Sequence, residues 1–192
     1  MLYLLAGLVL FLGAHSVRIF AEDWRAQTRE RVGENVWKGL YSLASLLGFA
    51  LLVWGFGVAR EQPIVLWTPP LGMRHLASLL TWLAFVLLAA TYVPGNGIKS
   101  RLHHPMVLAV KVWALAHLLA NGMLAHVVLF GAFLVWAILD FRSSRQRDRK
   151  AQTTYPSGKT PATVLTVLIG TAAWALFAFW LHGLLIGIRP FG

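Results

Sequence analysis

Seven histidines carry most of the chemistry this 192-residue chain can offer: His15, His75, His103, His104, His117, His126 and His182. A neutral imidazole ligates haem iron, copper or zinc, and it exchanges a proton near neutral pH. There is no cysteine, which removes disulfides, thiolate metal sites and cysteine nucleophiles. The interiors of the long apolar stretches carry no Asp or Glu, so a hard-cation site is not expected. Histidine-ligated haem is the best metal candidate. Two cations, Arg18 and Lys111, also fall within or beside apolar stretches. Lys111 is a candidate to bind an anionic group, such as a haem propionate or a substrate; the alternative for both is snorkelling toward a polar interface.

The elements that must position these residues are helices in a bilayer. Apolar residues make up 58% of the chain and charged residues 12%, against about 25% charged in a soluble domain. The expected fold is an all-α, polytopic transmembrane helical bundle of about six spans, forming one membrane domain over 1–192. Spans need about 20 mostly apolar residues, and the candidates are 2–20, 38–57, 72–93, 105–120, 123–140 and 162–186. The opening "MLY" has no Lys or Arg, so residues 1–20 read as a retained first helix, not a signal peptide. The fourth and fifth spans meet at Asn121-Gly122 and are expected to form a tight hairpin. The three prolines within 60–74 disfavour a helix there, and this segment is expected to lie in the interface or fold over the bundle. Residues 141–161 read as a mobile, basic cytoplasmic linker, with anionic lipid heads as a candidate partner. Small residues at Gly39, Ser42, Ser45 and Gly48 suggest a close-packing face on the second span.

Charge sets the orientation. Connections 21–38, 94–104 and 141–160 hold twelve Lys and Arg, whereas the other face holds Arg60, Arg74 and Arg189. The positive-inside rule places the N-terminus and C-terminus outside a bacterial inner membrane. The net charge of +10 is thus topogenic, and no nucleic acid partner is expected. In this topology His15, His103 and His104 lie toward the inside, and His75, His117, His126 and His182 lie near the outer ends of four spans.

Three motifs in order, "GLVLFLGAHSVRI", "HHPM" and "KVWALAHLLANG", resemble the NnrU family of bacterial integral membrane proteins. That family is named for an association with denitrification and nitric-oxide metabolism genes. It is related to 15-cis-zeta-carotene isomerase, a membrane enzyme with haem b. The resemblance implies haem b held by an "HS" histidine and an "AH" histidine thirteen residues after an "HP" histidine. These match His15 and His117, with His104 in the "HP" position. The isomerase carries a cysteine near its second ligand, where this chain has Ala114. Depth in the membrane suggests a different axial partner for His117, namely His126 or His75. The expected function is a haem b-binding membrane protein with a redox or isomerase-type role and a hydrophobic small-molecule substrate. The alternatives are a non-enzymatic accessory protein for denitrification enzymes and, third, a relative of isoprenylcysteine-type methyltransferases. Their "RHP" motif is echoed by "HHP", with His103 in place of Arg.

The topology is tested by reporter fusions. Fusions after Asn96 and after Lys150 are expected to report the cytoplasm, and fusions after Pro69 and at Gly192 the periplasm. A cytoplasmic C-terminus would refute the six-span arrangement and the depth sorting of the histidines.

Overall fold

The computed structural model describes residues 1–191; the C-terminal fusion point, Gly192, lies outside the described residues. Among the described residues nine α-helices follow in order: α1 (Leu2–Phe20), α2 (Glu22–Val32), α3 (Glu34–Glu61), α4 (Gly72–Tyr92), α5 (Gly97–Leu102), α6 (Pro105–Ala120), α7 (Leu124–Lys150), α8 (Thr160–Leu176) and α9 (His182–Ile186). A π-helical turn, Phe177–Leu181, joins α8 to α9. Among the described residues there is no strand, only isolated bridges. Helices α1, α3, α4 and α7 and the run Thr160–Ile186 are long and apolar enough to cross a membrane, and α6 is a shorter apolar helix. Large apolar side chains point outward along these helices, with Leu2 and Val9 each 75% exposed and Leu168 61% exposed. Such surfaces belong in lipid, and this is a membrane protein of several apolar helices.

Two compact units can be distinguished: Met1–Thr68 with Gly122–Asp140, and Pro69–Asn121 with the chain from Phe141 onward. In the first unit, α1 and α3 run antiparallel at very short range. An added Cβ at Gly7 would strike the backbone of Leu52, one at Gly48 the backbone of Phe11, and one at Gly55 the backbone of Leu4. Small-residue contact of this kind lets apolar helices gain dispersion energy without help from water. The packed face of α3 is Gly48, Leu52, Gly55 and Ala59. It differs from the face expected from sequence: Gly48 belongs to it, but Gly39 has nothing within 4 Å of an added Cβ. Four-residue and three-residue steps keep one helix face aligned, and the packed residues lie nine to eleven positions, about three turns, further along α3 than those expected.

Helix α2 is polar and buries none of its residues. Glu22 and Asp23 sit at its positive end, and Arg29 and Arg31 at its negative end, as the helix dipole favours. Arg25 donates twice to the Glu22 carboxylate, at 2.9 and 2.6 Å, and that carboxylate holds the guanidinium pKa above its ordinary value. The extended residues 64–67 pair with the chain between α6 and α7: Leu66 N–H donates to Gly122 C=O (2.8 Å), and Leu124 N–H donates to Ile64 C=O (2.8 Å). An added Cβ at Gly122 would run into the Trp67 carbonyl, so this approach requires glycine.

In the second unit, α4 and α8 are antiparallel. Gly170 meets the backbone of Val86, Trp82 Nε1–H donates to Thr171 Oγ1 (2.9 Å) and Trp174 Nε1–H donates to Thr81 Oγ1 (3.2 Å). Asn96, 2% exposed, caps α5 by accepting from Lys99 N–H (2.8 Å) and donates to Ala90 C=O (2.9 Å). The basic segment expected as a linker from residue 141 is helical through Lys150. Arg147 donates to Ser143 and Ser144 Oγ, at 2.6 Å each. These short-range bonds, with strong helix formers around them, outweigh the absence of an apolar pattern.

The α1–α3 contact yields a direct test. Gly48→Leu and Gly55→Leu are each expected to destabilise the detergent-solubilised protein by about 1–3 kcal/mol, the usual cost of overpacking. Gly39→Ala, in open space, is expected to be neutral or stabilising by up to about 1 kcal/mol. Thermal unfolding followed by circular dichroism reads both; equal stability of Gly39 and Gly55 variants would contradict the register.

Candidate functional site

The histidines separate by what their ring nitrogens do. In the first unit, His15 Nδ1–H donates to the Phe11 carbonyl one turn back, at 2.7 Å. A carbonyl can only accept, so the neutral ring carries its proton on Nδ1 and its lone pair on Nε2. The ring lies against Phe11 (4.3 Å between centroids), Tyr41 (5.3 Å) and the edge of Trp136 (6.2 Å). The Trp136 Nε1 and Ser45 Oγ atoms are buried without a hydrogen-bond partner among the described residues. His126 is 7% exposed, lies edge-on to Phe56 (5.2 Å), and has a buried Nδ1 with no such partner. Along α3 the Tyr41 and Phe56 contacts are fifteen residues apart, roughly 22 Å by helix rise. His15 and His126 therefore do not share one centre.

In the second unit, α6 presents His117. Its Nδ1–H donates to the Trp113 carbonyl (2.9 Å), again one turn back, and its own C=O accepts from Asn121 Nδ2 (2.9 Å). His117 lines a cavity of about 300 Å³ together with Trp113, Trp174, Phe177, His182, Arg74 and Arg189. The chain beyond α9 builds the far wall. Gly187 takes the left-handed conformation (φ 79°) and its N–H donates to Gly183 C=O, an αL helix stop. The chain then turns back, and His182 Nδ1–H donates to Ile188 C=O at 2.6 Å. Phe191 stacks on Phe179 (4.9 Å) and meets Trp174 edge-on (6.1 Å).

His103 and His104 are engaged elsewhere in this unit. His104 Nε2 pairs with the Asp148 carboxylate at 2.8 Å, and Tyr155 OH donates to the same oxygen at 3.0 Å. His103 stacks flat on Tyr155 (4.0 Å), and Arg145 donates to its Nδ1. Burial first, and then the Asp148 acceptor, push the Tyr155 phenol above its ordinary pKa. Lys111 sets its ammonium over the Phe141 ring, 5.4 Å from the centroid, and is not among the cavity residues. His75 is exposed, in the first turn of α4.

The donor set can be tested against a metal group. Among the described residues no three His, Asp or Glu side chains converge as for zinc, which takes three or four protein ligands. Haem needs only one or two axial imidazoles, because the porphyrin supplies the rest. Ligating imidazoles characteristically donate their other N–H to a carbonyl or carboxylate. His15, His117 and His182 all do so through Nδ1, and the His117 cavity has aromatic walls, so the residues present fit haem. The sequence had singled out His15 and His117 but not Arg74, Arg189 or the closing turn. Gly187 five residues after His182 was the available signal, as a helix stop that returns the chain.

Among comparisons with known proteins, the family described as NnrU protein matches residues 3–190. The chain belongs to the NnrU family. No curated protein and no solved structure matches it.

The αL turn at Gly187 is open to test. Gly187→Val places a β-branched side chain at φ 79°, expected to cost on the order of 1–2 kcal/mol. Amide hydrogen exchange should then rise at residue 187, whose N–H donates to Gly183 C=O, with α4 unchanged. Unaltered protection there would show that the turn does not depend on glycine.

Proposed function

We propose that this member of the NnrU family binds haem b in the bacterial inner membrane through His117 and serves a redox or isomerase-type role. The carrying observation is the His117 imidazole in an aromatic-walled cavity, where its Nδ1–H donates to the Trp113 carbonyl (2.9 Å) and so fixes the ring tautomer and orientation. His15, the other motif histidine, has the same lock to Phe11, and His182 has it within the His117 cavity. When bound, haem would supply an iron centre that changes oxidation state. The chain's part is to orient the imidazoles, raise their basicity through the carbonyl hydrogen bonds, and exclude water with Trp113, Trp174 and Phe177. Ala114, where the isomerase relative carries cysteine, is fully buried at 0% exposure. That favours a redox role over the isomerase reaction. The association of the family with denitrification gives the pathway context of the proposal, and the basic connections face the cytoplasm in it.

The test is the absorption spectrum of the purified protein. A Soret band with reducible α and β bands is expected. His117→Ala should lose the haem or turn it high-spin, because an axial position opens. His104→Ala should retain it, since His104 Nε2 is committed to Asp148. Loss in His15→Ala would identify the motif partner, and loss in His182→Ala the cavity partner. An unchanged low-spin spectrum in His117→Ala would sink the proposal, and a colourless protein would leave the accessory role in denitrification-enzyme assembly.

A further inference from the structure

Outside its three basic connections the chain has five Lys and Arg, namely Arg18, Arg60, Arg74, Lys111 and Arg189. Two of them, Arg74 and Arg189, line the His117 cavity. No Asp or Glu lines that cavity, and neither arginine takes part in an ion pair among the described residues. They arrive from separate elements: Arg74 from the first turn of α4, and Arg189 from the chain returning after Gly187. The Arg189 stem lies against Gly183, where an added Cβ would come within 3.1 Å of its Cγ. Two guanidiniums beside an aromatic cavity repel each other unless an anion lies between or beside them. A guanidinium matches a carboxylate through two parallel N–H donors.

We propose that Arg74 and Arg189 form a carboxylate clamp, so that the cavity takes a flat apolar molecule bearing carboxylates at one edge. This rests on the haem reading for the identity of the flat body, whose propionates the two arginines would hold; the clamp itself rests on the charges and the cavity. It also assigns to these arginines the anion-binding role that Lys111, placed over Phe141, does not fill from its position.

The clamp and the iron ligation can be read separately on the full-length protein in detergent. Metal-free protoporphyrin IX has no iron for histidine to ligate, and its binding is followed by quenching of tryptophan fluorescence, with Trp113 and Trp174 in the cavity wall. The free acid is expected to bind at least tenfold more tightly than its dimethyl ester. Arg74→Gln and Arg189→Gln should each abolish most of that preference, Arg74→Lys and Arg189→Lys should keep part of it, and Lys150→Gln should leave it intact. Equal binding of acid and ester to the unaltered protein, or a preference undiminished in both glutamine variants, overturns the clamp. If haem gives a His117-dependent low-spin spectrum while acid and ester bind alike, the clamp fails and the haem reading stands. If no ligated haem spectrum forms but the arginine-dependent preference holds, the haem reading fails and the clamp stands. Circular dichroism of the variants separates loss of the clamp from loss of the fold, since the lysine variants preserve charge and bulk.

Discussion

Hydrocarbon offers no partner to a polar group, so polar side chains in these helices turn to the chain itself for one, with Ser45 Oγ, Trp136 Nε1 and His126 Nδ1 left without among the described residues. That constraint governs the histidines. His15 and His117 each spend Nδ1–H on the carbonyl one turn back, and Thr166, at 0% exposure, donates to Ala162 C=O (2.7 Å) in the same manner. For threonine this merely satisfies a hydroxyl. For histidine it also fixes the tautomer of the ring.

Where helices must come together, side chains give way to backbone. Gly7, Gly48 and Gly55 let α1 and α3 meet at distances no Cβ would allow, and Gly170 does the same for α8 against α4. The lipid-facing sides keep their large apolar residues. Between α1 and α3 the same contact leaves room for rings: Phe11 and Tyr41 lie against His15, at 4.3 and 5.3 Å between centroids. The close contact of Gly48 with the Phe11 backbone falls one turn before His15.

The cavity of the second unit depends on a departure from α-helical geometry. The π-helical turn at Phe177–Leu181 places an additional residue in the turn just before His182. Gly187 then reverses the chain and returns Ile188, Arg189 and Phe191 to the cavity wall. The polar cluster of His104, Asp148 and Tyr155 ties the extended end of α7 to the start of α6 and to the following loop. Both features assemble short, unremarkable stretches of sequence into one environment.

Composition and apolar run length determined the membrane class and the approximate helix positions, because spanning a bilayer demands about 20 apolar residues whatever the fold. The break at Asn121-Gly122 and the non-helical prolines of 60–74 were legible for equally local reasons of turn chemistry. The motifs marked His15 and His117, and a histidine on an apolar helix signals its own need for a partner. The α3 face that packs was not legible, since Gly39 and Gly48 are alike in sequence and only the crossing point of α1 distinguishes them. Nor was the helical course of residues 141–150, which shows no apolar pattern and is held by Arg147, Arg145 and Asp148 contacts. Arg74 and Arg189 lie 115 residues apart and looked like ordinary loop cations. Only the tertiary structure, by folding the chain back at Gly187, put both on one cavity, because proximity between distant residues is a property of packing and leaves no local trace in either segment.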